Sequence, residues 1–183
     1  MLKRIMDIKK ILRDRLIEYK ISEVSDDVYG MIGSNDRVIM TRESELVFRS
    51  TPIGNQKVSA KPRGLWYGIG SSWIDWVRSE MPNWETEHVF KIEVDESKMR
   101  VIRTYDELLA FDKEYSVKLN LGADYLRKIG DIDWRRVASE YGGIEIAPYI
   151  YKARMSVNWY YGWDIASGCI WGDGIIRDIK RIS

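Results

Sequence analysis

The chain has 183 residues, 45% hydrophobic and 31% charged, and its 29 Lys and Arg against 28 Asp and Glu leave a net charge of +1. This predicts a single domain spanning 1–183 with a core large enough to need no staples; it excludes a disordered tail or fibrous repeat and gives nucleic-acid binding no electrostatic support. One cysteine, Cys169, excludes a disulfide framework and a cysteine-built zinc site, and one histidine, His88, excludes metal sites made from several imidazoles.

In chain order, residues 2–19 read as an amphipathic helix, with Leu2, Ile5, Ile8, Leu12, Leu16 and Tyr19 recurring at spacings of three and four. Asp7, Asp14 and Glu18 dilute its basic face, so packing on the domain's flank is expected rather than binding to a membrane surface. Turn residues then surround a strand over 37–40. A second strand is expected over 46–51, ended by Pro52. Lys61-Pro62-Arg63-Gly64 is a turn feeding a short strand, Leu65-Trp66-Tyr67-Gly68. Ser71 or Ser72 caps a helix over 73–78.

Strands follow over 88–94 and 99–102. Thr104 starts a helix over 105–115, with Glu107 completing a capping box. Asp133 caps a helix over 134–141, stopped by Gly142-Gly143, and Ile144-Glu145-Ile146-Ala147 is a brief strand closed by Pro148. Two last strands are expected over 149–155 and roughly 159–171. The irregular mixture predicts an α+β fold with largely antiparallel or split sheets. No apolar run approaches the roughly 18 residues of a membrane span. The charged start lacks a signal-peptide pattern, so a cytoplasmic protein with no membrane partner is expected.

Familiar cofactor motifs are absent. Gly68-Ile69-Gly70 lacks the third glycine of a dinucleotide fingerprint, and there is neither a P-loop lysine nor a calcium loop. Three segments carry the chemistry that remains. In Phe48-Arg49-Ser50-Thr51 an arginine precedes two hydroxyls; it is either a water-facing strand residue or a clamp for an anion, which a guanidinium binds through two parallel hydrogen bonds. In Gly64-Leu65-Trp66-Tyr67 the two rings point to opposite faces of a strand, and Gly64 permits close approach to its backbone. In Ile144-Glu145-Ile146 the carboxylate lies on the face opposite both isoleucines, toward a cleft or toward water.

The order of these segments resembles the ADP-ribosyltransferase superfamily over roughly residues 46–171. The resemblance implies split, mostly antiparallel sheets with flanking helices, the helix over 2–19 lying outside the core. It implies Arg49, Ser50 and Thr51 as the first NAD-binding motif, Gly64, Leu65, Trp66 and Tyr67 as the second, and Glu145 as the catalytic glutamate. It implies an NAD-dependent transferase that cleaves the nicotinamide–ribose bond, uses no metal, and passes ADP-ribose to an acceptor: protein, nucleic acid or small molecule. The second motif has no Ser-Thr-Ser, and Gly143 stands two residues before Glu145 where arginine-modifying members carry Gln or Glu. The acceptor therefore stays open, and with water in its place the enzyme is an NAD glycohydrolase. The rival expectation is a non-enzymatic binding module, an inhibitor or accessory protein, whose eight tryptophans mark a docking surface.

Overall fold

The computed structural model describes residues 26–118 and 130–183, so the helix expected over 2–19 lies outside the described residues. Ten strands and five α-helices are described: α1 (Asp26–Gly30), β1 (Arg37–Thr41), β2 (Val58–Ser59), β3 (Leu65–Ile69), α2 (Ser72–Glu80), β4 (His88–Val94), β5 (Met99–Ile102), α3 (Tyr105–Tyr115), β6 (Ser116–Lys118), β7 (Gly130–Asp133), α4 (Trp134–Glu140), β8 (Gly143–Ile146), α5 (Tyr151–Arg154), β9 (Ser167–Ile170) and β10 (Ile176–Arg181).

Seven strands form the main sheet in the order β10-β4-β1-β3-β9-β8-β5, and β2, β7 and β6 form a small second sheet. Every pairing is antiparallel except β5 with β8. This is a mixed, antiparallel-rich α+β architecture.

Strand alternation divides the main sheet into two differently covered faces. On one face, Ile144, Ile146 and Cys169 pack with Leu108 and Phe111 of α3, Trp134 and Val137 of α4, and Trp159 and Trp163. Farther along, Val38 and Val89 meet Ile74 of α2 and Val28 of α1. The opposite face carries Ile39, Tyr67, Ile92, Met99 and Ile170, with Leu46 and Phe48 lying against it.

Local chemistry explains several element ends. Thr104 accepts the Glu107 N–H, and the Glu107 carboxylate accepts the Thr104 N–H at 3.0 Å, so both orphan donors at the start of α3 are satisfied. Asp133 accepts from the N–H groups of Arg135 and Arg136 at the start of α4.

Three expectations are corrected. Residues 46–51 form no sheet ladder; Phe48 packs on the core while Thr51 donates its N–H to Trp171 O at 2.9 Å. The stretch over 149–155 holds helix α5, because buried Ile150, Ala153 and Val157 follow a helical spacing that outweighs the β-leaning tyrosines. The last long strand starts only at Ser167; Asn158–Gly162 is a 3-10 turn.

Candidate functional site

The site is built on one row of the sheet. Gly168 of β9 pairs with Tyr67 of β3 on one side and Glu145 of β8 on the other. Because Gly168 has no side chain, Tyr67 and Glu145 meet over it, and the Tyr67 hydroxyl donates to Glu145 Oε2 at 2.8 Å. A β-carbon at Gly168 would overlap the Tyr67 ring and hydroxyl and lie 2.8 Å from Ile144 O. Arg37 opens β1 on this same face. Its Nε donates to Glu145 Oε2 at 2.6 Å and its Nη2 to Glu145 Oε1 at 3.2 Å.

Glu145 is 3% exposed, the one buried acidic side chain among the described residues. Its charge is offset by Arg37, whose side chain is 15% exposed. Burial works against the Arg37 charge, but hydrogen bonds to Glu145 and Glu96 outweigh it and raise the guanidinium above the ordinary arginine value. Burial, with the Glu145 charge beside it, pushes the Tyr67 phenol well above its ordinary value, so Tyr67 stays a neutral donor.

Arg37 and Glu145 line a cleft of about 490 Å³, with Tyr67 buried behind them. Arg37 at the start of β1, Ile69 at the end of β3, Ala147 just past β8 and Arg103 just past β5 place the cleft at one end of the sheet. Glu96, from the turn between β4 and β5, also lines it. Its Oε1 accepts Arg37 Nη2 at 2.5 Å and its Oε2 accepts Arg103 Nη2 at 3.0 Å. Tyr149 is the one aromatic ring in the lining, with its ring stacked on Tyr160 at 5.5 Å. A volume of this size lies within the range of pockets that enclose small-molecule ligands.

Of the residues singled out in the sequence, Tyr67 and Glu145 come together and the others do not. Arg49 is exposed, and its guanidinium makes no hydrogen bond or ion pair among the described residues. Ser50 and Thr51 line a different cleft, of about 330 Å³, with Tyr141, Gly142 and Trp171. That cleft lies at the other end of β8, since Gly142 precedes the strand and Ala147 follows it. Gly64 has φ 157°, and a β-carbon there would overlap Ile170 O, so its freedom serves backbone packing. Leu65 packs on the face that carries Tyr67. Trp66 turns to the other face, edge-on to Trp163 at 4.9 Å with Lys61 Nζ 5.4 Å from its ring.

Arg37, Glu96, Arg103 and Tyr149 were not singled out as site residues. One signal was available for Arg37: in a strand whose Val38 and Ile39 are both apolar, it shares a face with Ile39, which places a charge beside core side chains. Four tryptophans, Trp134, Trp159, Trp163 and Trp171, are core rings. Trp73, Trp76 and Trp84 form an outer ladder with centroids 5.9 and 6.3 Å apart, and Trp84 is exposed.

Among the described residues, no group of three or more His, Cys, Asp and Glu is placed to hold a metal ion, and no helix is long and apolar enough to cross a membrane. Comparison of the chain with protein-family models, with curated proteins and with solved structures finds no match.

Proposed function

We propose that the protein is an NAD-consuming enzyme of ADP-ribosyltransferase type, working in the cleft that Arg37, Glu145 and Tyr149 line, with Arg37 in the role the sequence assigned to Arg49. The observation that carries this reading is the placement of Glu145. A buried carboxylate is held by Tyr67 and Arg37 on a rigid strand and faces a cleft large enough for part of a dinucleotide. The chain order of arginine strand, glycine-flanked aromatic strand and glutamate strand is kept with Arg37 in first place.

NAD is a substrate here. Its nicotinamide–ribose bond breaks, and the bonding pair leaves on the nicotinamide nitrogen, neutralising the pyridinium. The ribose carbon takes up positive charge in an oxocarbenium-like transition state. An acceptor heteroatom, or water, bonds to that carbon and releases its proton to solvent. Glu145 stabilises the developing cation electrostatically. An ionised carboxylate offers about four acceptor positions, and Arg37 and Tyr67 occupy three, which leaves room for a ribose hydroxyl. Tyr67 is 2% exposed and therefore orients the carboxylate; the ring available to a flat nicotinamide is Tyr149. Gly143, two residues before Glu145, is buried, and a β-carbon there would lie 3.0 Å from both Cys169 O and the Met99 side chain, a tight fit.

The test is nicotinamide release from NAD, measured beside NAD affinity. Glu145→Gln should lower kcat by about 10²–10³ while NAD still binds, because the ribose cation exists only during reaction. If the parent protein neither binds NAD nor releases nicotinamide, this reading fails. The binding-module reading then takes its place, favoured by the outer Trp73, Trp76 and Trp84 ladder.

A further inference from the structure

We infer that Arg37 and Arg103 form a phosphate subsite at the mouth of this cleft, and that the Glu96 carboxylate occupies it as an internal stand-in for the ligand's diphosphate. The inference deepens the proposed function by assigning the group that recognises the charged half of a dinucleotide.

The geometry is that of a bridged anion. One Glu96 oxygen accepts Arg37 Nη2 at 2.5 Å and the other accepts Arg103 Nη2 at 3.0 Å. Two oxygens of one phosphate group have nearly the separation of two carboxylate oxygens, so a phosphate fits between the same two guanidinium groups. Guanidinium forks bind both anions through charge-assisted pairs.

Neither arginine is used up. Arg37 Nη1 and Arg103 Nε and Nη1 have no partner among the described residues, and each guanidinium brings five N–H donors. Glu96 is also the member best able to leave. It sits on the 3-10 turn Glu96–Lys98 with its side chain 46% exposed, and the Arg103 side chain is 55% exposed. Exposed ion pairs of this kind hold weakly. Arg37 stays because Glu145 anchors its Nε from the buried side.

Charge points the same way. With Glu96 in place, the ionised groups lining the cleft are Arg37 and Arg103 against Glu96 and Glu145, a balance of zero. Once Glu96 swings out to water, the lining is left with a surplus positive charge at the mouth, where an arriving diphosphate meets it.

Inorganic pyrophosphate binding by calorimetry tests the subsite without any turnover. Glu96→Gln keeps the size of the side chain but removes the competing charge, and it should tighten pyrophosphate binding by about three- to tenfold. Arg103→Ala should weaken it by a similar factor. Melting curves of both variants establish that they fold, which the exposure of both side chains leads us to expect. Unchanged or weaker binding by folded Glu96→Gln overturns the inference. Tighter pyrophosphate binding without nicotinamide release from NAD keeps the subsite and removes the NAD reading. Nicotinamide release with pyrophosphate binding indifferent to Glu96 does the reverse.

Discussion

The contact between Tyr67 and Glu145 depends on a missing side chain, and Gly168→Ala tests that dependence. Gly168 has an ordinary backbone conformation, so alanine brings no torsional strain there. What it brings is a methyl group inside the Tyr67 ring and hydroxyl, 2.8 Å from a carbonyl oxygen of the neighbouring strand. Tyr67 is packed among Ile39, Met99 and Ile170 and has little room to yield. Overpacking of this kind costs about 1–3 kcal/mol. Displacing the hydroxyl from Glu145 adds about 1.5–3 kcal/mol for a lost hydrogen bond to a charged group. Replacing glycine returns about 0.4–1 kcal/mol through the unfolded chain. The expected net loss is about 2–5 kcal/mol, or about 4–20 °C in Tm for a chain of this size. Thermal melting and urea unfolding measure it, with the urea midpoint falling at an unchanged slope. In a Tyr67→Phe background the same alanine should cost less, because part of the overlap is with the hydroxyl and touching residues are not additive. A Gly168→Ala protein that melts within about 2 °C of the parent would show that the row is not packed as described.

Two further outcomes follow from burial and charge. Cys169 is fully buried in β9, and burial pushes its thiol well above the ordinary value; a thiol reagent should therefore label it only after denaturation, and rapid labelling of the native protein would contradict this. Glu96 and Asp36 should make stability fall in acid. Hydrogen bonds from Arg37 hold the Glu96 carboxyl below its ordinary 4.5, and at Asp36 the bonds from Lys91 and the Gly33 N–H outweigh burial to hold it below 3.8. Folded values below the unfolded ones give stability that is complete above the unfolded value and lost as pH falls through the folded value. The melting temperature should therefore drop on going from about pH 5 to pH 3. The drop should be shallower in Glu96→Gln and Asp36→Asn, and an equal slope in all three proteins would refute the assignment.

The parts of this fold legible in the sequence are those fixed by local chemistry. The Thr104–Glu107 box and the Asp133 cap set helix starts through bonds between near neighbours, and both helices begin where those residues predict. The alternation Ile144-Glu145-Ile146 correctly put Glu145 on the face opposite its neighbours, because strand period alone decides that. The partners of Glu145 were not legible in the same way. Arg37 is 108 residues away, and it reaches Glu145 only because β1, β3, β9 and β8 lie side by side, an order no local pattern encodes. Arg49 was singled out for two neighbouring hydroxyls and an apolar flank; the flank belongs to a segment that covers the sheet without joining it. The strand β10 went unassigned because its exposed positions outnumber its half-buried ones and it carries no alternation strong enough to mark an edge strand.

Stability is a poor reason for the pair between Arg37 and Glu145. Taking two charges out of water costs several kcal/mol per ion, and mutual attraction repays this only with good geometry and full hydrogen bonding. Apolar replacements of such pairs are often neutral or stabilising by about 1–4 kcal/mol. The surroundings here would accept them, since Ile39, Ile69, Met99 and Val101 already line the same face. The cost is also not confined to the pair. Gly168 gives up its side chain so that Tyr67 can reach the carboxylate, and the Tyr67 hydroxyl is committed to it. Four strands thus hold one carboxylate in a fixed place, at the end of the sheet where the cleft opens. A core built for stability alone would fill that row with aliphatic side chains. Under the proposed function, a carboxylate that meets a cation in the cleft needs to be oriented, paired and shielded from water. Tyr67, Arg37 and burial supply those three conditions.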